Sequence, residues 1–166
     1  MRGPAGPLAF LLWGGGYSMR FRDGQPCFLS EAFYKKHPQE AYPEIEAKRN
    51  RPHVMYLVEI DDGTWFAIPL RSNIRHRFCF RTSHNGGLDF TKAIPLLDAS
   101  FIDTNRKAFI RQSEWPVIQS NKSRIKRGME SYIRRYRKAK ERPDRPGNSY
   151  LLRYSTLRYF ERELGL

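Results

Sequence analysis

Only Asp61-Asp62-Gly63 separates two runs of strand-forming residues, Val54-Met55-Tyr56-Leu57-Val58-Glu59-Ile60 and Thr64-Trp65-Phe66-Ala67-Ile68-Pro69-Leu70. β-Branched and aromatic residues suit a pleated, half-buried surface, and Asp and Gly tolerate the positive φ of a tight turn. The two runs therefore predict an antiparallel hairpin. Pro69 has no backbone N–H to give a neighbour, so the return strand is expected to end or bulge there. Phe78-Cys79-Phe80, before the turn residues His84-Asn85-Gly86-Gly87, predicts a third strand. The segment from Leu88 to Leu97, again with an internal proline, predicts a fourth, followed by Phe101-Ile102-Asp103.

Helical spacing brackets this sheet. Ser30 ahead of Glu31, with Phe28, Ala32 and Phe33, suits a short helix or turn over 28–36, ended by His37-Pro38, and 42–46 is a loop. After Ser113, Ile118, Ile125, Met129, Tyr132, Ile133 and Tyr136 fall on one face of a long helix with Pro116 in its first turn. Pro143-Asp144-Arg145-Pro146-Gly147-Asn148 breaks it, and Tyr150 to Leu164 forms a shorter second helix. Strands followed by helices predict an α+β fold.

With 166 residues and no repeat, the chain is the size of one domain. The apolar run Leu8–Trp13 is too short for an export signal and leads into three glycines, so residues 1–18 are read as a disordered or non-native extension and 19–166 as the domain. Cys27 and Cys79 lack a second cysteine at metal-ligand spacing and are read as reduced, buried thiols of a cytoplasmic protein.

The net charge of +13 sits on a chain that is 40% apolar and 14% aromatic, so the charge belongs to a folded body. Such a field favours phosphate backbones. A membrane is disfavoured, because no apolar stretch approaches the ~20 residues of a span and no lysine-flanked apolar helix occurs. The excess concentrates in the long helix and the loop after it: Asn121 is followed by Lys122, Arg124, Lys126, Arg127, Arg134, Arg135, Arg137, Lys138, Lys140, Arg142 and Arg145, against Glu130, Glu141 and Asp144. A solubilising face mixes signs to gain i,i+4 pairs, whereas this one is one-signed and reads as a phosphate-binding face. Tyr34, Tyr42 and Tyr150 are candidates for stacking on unpaired RNA bases, with ordinary packing as the competing assignment.

The hairpin brings the start of its first strand beside the end of its second. His53 should therefore share one rim of the sheet with Arg71, Ser72, Arg75 and His76. Metal-free RNA cleavage needs a base for the 2′-OH proton, cations for the charge gathering on phosphorus and an acid for the leaving 5′-oxygen, and two histidines with two arginines meet those needs. His37 and His84 are read as capping or surface residues, and Ser72 as a turn residue able to bind a phosphate oxygen. There is no glycine-rich phosphate loop, zinc spacing or carboxylate cluster for magnesium, so neither a metal nor another cofactor is expected.

The ordered segments Arg51-Pro52-His53, Val58-Glu59-Ile60, Phe66-Ala67-Ile68-Pro69-Leu70-Arg71-Ser72, Gly87-Leu88-Asp89-Phe90-Thr91-Lys92-Ala93-Ile94-Pro95, Ile118-Gln119-Ser120-Asn121 and Ser155-Thr156-Leu157 together resemble a family. It is that of the endoribonuclease toxins of type III toxin–antitoxin systems, the ToxN/AbiQ superfamily, and most closely its TenpN branch. The resemblance runs from about Met19 to the C-terminus. It implies a compact, partly barrel-like antiparallel sheet flanked by helices, related to the MazF/Kid toxins. It also implies cleavage to a 2′,3′-cyclic phosphate, with phage defence or plasmid maintenance as the setting. The partners would be cellular or phage RNA and a tandem-repeat RNA antitoxin that the toxin trims and that holds it in a cyclic hetero-oligomer. Lys92 and the long helix from Asn121 onward would contact RNA. The family's threonine-serine-x-lysine is here Arg71-Ser72-Asn73-Ile74. Ser72 carries over, His53 stands where some members have a second lysine, and the basic catalytic role passes to Arg75 or His76. The alternative is a non-catalytic basic module that binds RNA or DNA through the helix alone.

Overall fold

The computed structural model describes residues 21–47 and 51–166, so the expectation for 1–18 lies outside the described residues. Strands β1 (Pro26–Cys27), β2 (Met55–Glu59), β3 (Trp65–Arg71), β4 (Cys79–Arg81), β5 (Gly87–Asp89) and β6 (Ile94–Pro95) form one antiparallel sheet. Their order is β1-β2-β3-β5-β4, with β6 also on β3. The end strands β1 and β4 are not paired with each other, so the sheet is open and not closed into a barrel.

The predicted hairpin forms, in register from Met55↔Pro69 to Glu59↔Trp65, and Gly63 turns it with φ +85°. The strand does not stop at Pro69. The amide of Leu70 donates to Val54 O at 2.8 Å, which puts Pro69 at a position whose nitrogen faces away from β2. On that far side β6 pairs with Phe66 and Ala67, and β5 with Leu70 and Arg71, so Pro69 falls in the gap between partners. That gap also explains why 88–97 is not one strand. Asp89 accepts from the Thr91 amide at 3.0 Å and starts a 3-10 turn over Phe90–Lys92 between β5 and β6.

The helices are α1 (Glu31–Lys36), α2 (Trp115–Gln119), α3 (Lys122–Glu141), α4 (Pro146–Tyr154) and α5 (Glu161–Leu164). Ser30 caps α1, its Oγ accepting from the Phe33 amide at 3.2 Å. The long helix expected after Ser113 is two helices. At the join, the Asn121 side chain donates to Val117 O at 2.7 Å, a local bond that competes with the helix ladder. The helix expected over 150–164 is also divided. Ser155 is extended, and its Oγ accepts from the Leu157 amide to start a 3-10 turn, Thr156–Tyr159.

Residues alternate across the sheet. Tyr56, Val58, Phe66, Ile68 and Leu88 pack beneath α2, α3 and α4, against Ile118, Ile125, Met129, Tyr132, Tyr136 and Leu151. Met55, Leu57, Ala67 and Ile94 face the other way, toward Phe33 of α1, Phe101 and Phe160. A Cβ on Gly128 would lie 2.7 Å from the Phe90 ring, so glycine lets α3 approach that closely. Cys27 is buried and Cys79 half-buried, both as free thiols.

Candidate functional site

His53, Arg71 and His76 meet at one rim of the sheet, as the hairpin requires, but they are joined through two carboxylates. Arg71, the last residue of β3, donates from Nη1 to Asp89 Oδ2 at 2.6 Å and from Nη2 to Glu46 Oε1 at 3.0 Å. Glu46 Oε2 holds His53 Nε2 at 3.3 Å, and Asp89 Oδ1 holds His76 Nε2 at 3.2 Å. The result is a line of contacts, His53–Glu46–Arg71–Asp89–His76. Within it Asp89 has no exposed side-chain surface, whereas His53, Arg71 and His76 are each about one-fifth exposed.

The bonds fix both imidazoles. The Phe78 amide donates to His76 Nδ1 at 3.1 Å, so in this arrangement His76 carries its proton on Nε2, directed at Asp89. Thr91 Oγ1 donates to the same Asp89 oxygen at 2.6 Å. His53 faces a carboxylate through Nε2, so its proton lies there and its Nδ1 lone pair is directed elsewhere. Burial pushes the Asp89 carboxyl up, but hydrogen bonds from His76, Thr91 and Arg71 outweigh burial and hold it below the ordinary carboxylate range.

Arg71 has the same strand parity as Ala67 and so faces the α1 side. There it lines a cleft with Tyr34, Glu44, Glu46, His53, Lys92 and Thr156. Lys92 donates to Glu44 Oε2 at 2.5 Å and to Tyr154 O at 2.8 Å. A second cleft, round the rim toward α4, is lined by His76, Phe78, Thr91, Lys92, Tyr150 and Tyr154. Tyr150 and Tyr154 are exposed, with ring centroids 4.5 Å apart.

Ser72 and Arg75 are exposed on the loop after β3, apart from the His53–His76 line of contacts, and Asn73 between them is left-handed at φ +58°. His37 is the buried C-cap of α1, stacked on Phe33, and His84 is exposed in the β4–β5 turn. Tyr34 is half-buried against Phe33 at the cleft wall, with burial pushing its hydroxyl pKa up to about 12. Tyr42 packs edge-on to Tyr159.

Along α3, Lys122, Arg124, Arg127, Arg134, Arg137 and Lys138 are exposed on the arc away from the sheet. Lys126 is instead paired with Asp61 at 2.7 Å, and Arg135 donates to Asn148 Oδ1 at 2.8 Å. Asn121 is spent at the α2–α3 join. The cationic arc and the Arg71 cleft thus belong to opposite sides of the sheet.

Sequence reasoning missed Glu46, Asp89, Thr91 and Glu44. The available signal was an aspartate between Leu88 and Phe90 in an otherwise apolar strand, which must be paired if buried. Among the described residues no group of His, Cys, Asp and Glu could hold a metal ion, and no helix is long and apolar enough to cross a membrane. Compared with protein-family models, with curated proteins and with solved structures, the chain matches none of them.

Proposed function

We propose that this chain is a metal-independent endoribonuclease, the toxin of a type III toxin–antitoxin pair with the fold of the TenpN branch. The observation that carries this reading is the line His53–Glu46–Arg71–Asp89–His76, two oriented histidines flanking one guanidinium at a sheet rim. Glu46 holds His53 so that Nδ1 is the base that takes the 2′-OH proton, much as a carboxylate orients the histidine of a catalytic triad. The 2′-oxygen then bonds to phosphorus while the bond from phosphorus to the 5′-oxygen breaks. The proton for that leaving oxygen comes from His76 in its imidazolium form, its ring turned from Asp89 and the Phe78 amide toward the 5′-oxygen, and Arg71 faces the charge on the phosphoryl oxygens. The products are a 2′,3′-cyclic phosphate and a 5′-hydroxyl. Ser72 and Arg75, on the exposed loop beside this rim, act as phosphate contacts.

In this role the exposed cations of α3 hold the folded, tandem-repeat RNA antitoxin in a cyclic hetero-oligomer, and cellular or phage RNA in the bacterial cytoplasm is the target. A second reading has its own support. Asp89 is fully buried, with bonds to Arg71, His76 and Thr91, as in an ion cluster that only braces a fold. On that reading the chain is a non-catalytic RNA-binding module. Expression of the chain alone separates the two. Growth arrest that disappears with His76→Ala, while RNA affinity persists, fits the toxin; unimpaired growth with intact cellular RNA fits the module.

A further inference from the structure

The chain's charge of +13 is not expressed where the proposed chemistry sits. In the α1-side cleft both cations already face anions drawn from one short segment. Lys92 is held by Glu44, and Arg71 by Glu46 in addition to Asp89. Ile45, between the two glutamates, is 3% exposed and pins the segment by burial, so the two side chains are presented from a fixed backbone. Glu46 is about one-third exposed, unlike Asp89, which is fully buried.

A guanidinium binds carboxylate and phosphate through the same fork, and an ammonium binds either as a point charge. Arg71 and Glu46, at 22% and 34% exposed, form a pair that water still reaches and that is worth little in stability, so another anion can take the carboxylate's place; Lys92 and Glu44, at 16% and 17%, are more enclosed. We infer that Arg71 and Lys92 form a site for two neighbouring phosphodiesters of one RNA strand, which Glu44 and Glu46 mask in the free protein. The inner carboxylate, Asp89, stays in place and keeps Arg71 aimed into the cleft. Glu46 releases Arg71 through Oε1 and retains His53 through Oε2, so binding the strand and orienting the base are compatible. This deepens the ribonuclease reading and rests on it for the identity of the strand.

The distinguishing consequence is a gain. Neutralising a masking glutamate should tighten binding more than neutralising a glutamate elsewhere. The probes are inorganic pyrophosphate and a short single-stranded 2′-O-methyl oligonucleotide, which cannot be cleaved, titrated against the full chain at fixed salt. Glu44→Gln and Glu46→Gln are each expected to bind about two- to five-fold more tightly than the unaltered chain. Glu163→Gln, an exposed site with the same change of charge, should move affinity by much less. Adding Arg71→Gln to Glu46→Gln should erase the gain, as expected for groups that interact. Equal gains in Glu46→Gln and Glu163→Gln, or a gain that survives Arg71→Gln, would overturn the masked site. Should Glu46→Gln fail to fold, Glu44→Gln with Lys92→Gln gives the same comparison. If the gain appears but unmodified RNA is never cut, the site stands and the ribonuclease reading falls. If RNA is cut without any gain, the masked site falls alone.

Discussion

Arg71 Nη1 meets Asp89 Oδ2 at 2.6 Å beneath the rim of the sheet, with the carboxylate wholly buried and the guanidinium about one-fifth exposed. A buried carboxylate is tolerated only while its partners persist, and removing one partner of such a pair costs about 3 to 5 kcal/mol. Arg71→Ala, which leaves Asp89 buried without its guanidinium, is expected to lose stability toward that range at neutral pH, measured by urea unfolding.

The same pairing gives a pH signature. The folded-state pKa of Asp89 lies below its ordinary value of 3.8, so the unfolded chain takes up the proton first as pH falls. The carboxylate's contribution is complete above pH 3.8 and is lost as pH drops below it toward the folded value. Unfolding free energy followed from pH 6 to about pH 2 should decline less steeply in Asp89→Asn than in the unaltered chain.

Gly128 lies under the Phe90 ring, where a Cβ would sit 2.7 Å from the ring edge. Gly128→Ala gains helix propensity but must displace a buried ring that is also packed on Tyr132. Overpacking of this kind costs about 1 to 3 kcal/mol, more than the ~1 kcal/mol that alanine returns. A net fall in the thermal midpoint is expected, and a rise would show that α3 is free to shift.

For the helix surface, the prediction concerns salt. Arg134→Gln and Lys138→Gln remove exposed cations, and each lost phosphate contact should lower the slope of log affinity against log salt by roughly 0.7 for single-stranded RNA. Arg135→Gln breaks a bond to Asn148 instead and should change stability more than salt dependence.

Tyr150 and Tyr42 should separate in the same binding assay. Tyr150 is 56% exposed beside Tyr154, and its replacement by alanine should weaken single-strand binding by about 1 to 3 kcal/mol, with phenylalanine restoring it. Tyr42, packed on Tyr159 and His37, should affect folding and leave RNA affinity nearly unchanged.

The parts legible in the sequence were those set by local periodicity. Residues 54–70 carried their turn between two strand runs, and Ile125 to Tyr136 carried their buried face. Pro69 does not end its strand, because a proline's tolerance depends on which neighbour its nitrogen would face, and that requires knowing where β5 ends and β6 begins. The breaks at Asn121 and Ser155 depended on single side-chain bonds to the backbone, which periodicity cannot register. At the site, the hairpin put His53 near Arg71 from topology alone. That Glu46 and Asp89 would stand between the cations and histidines depended on contacts 25 and 18 residues apart in the chain.

Cleavage of single-stranded RNA by the purified chain with excess chelator tests the central claim most directly, comparing the unaltered protein with His53→Ala and His76→Ala. Metal-independent products ending in 2′,3′-cyclic phosphate are expected, with each histidine variant slowed about 10² to 10⁴-fold and RNA affinity nearly retained. Intact RNA in all three reactions, or equal cleavage by all three, would contradict it.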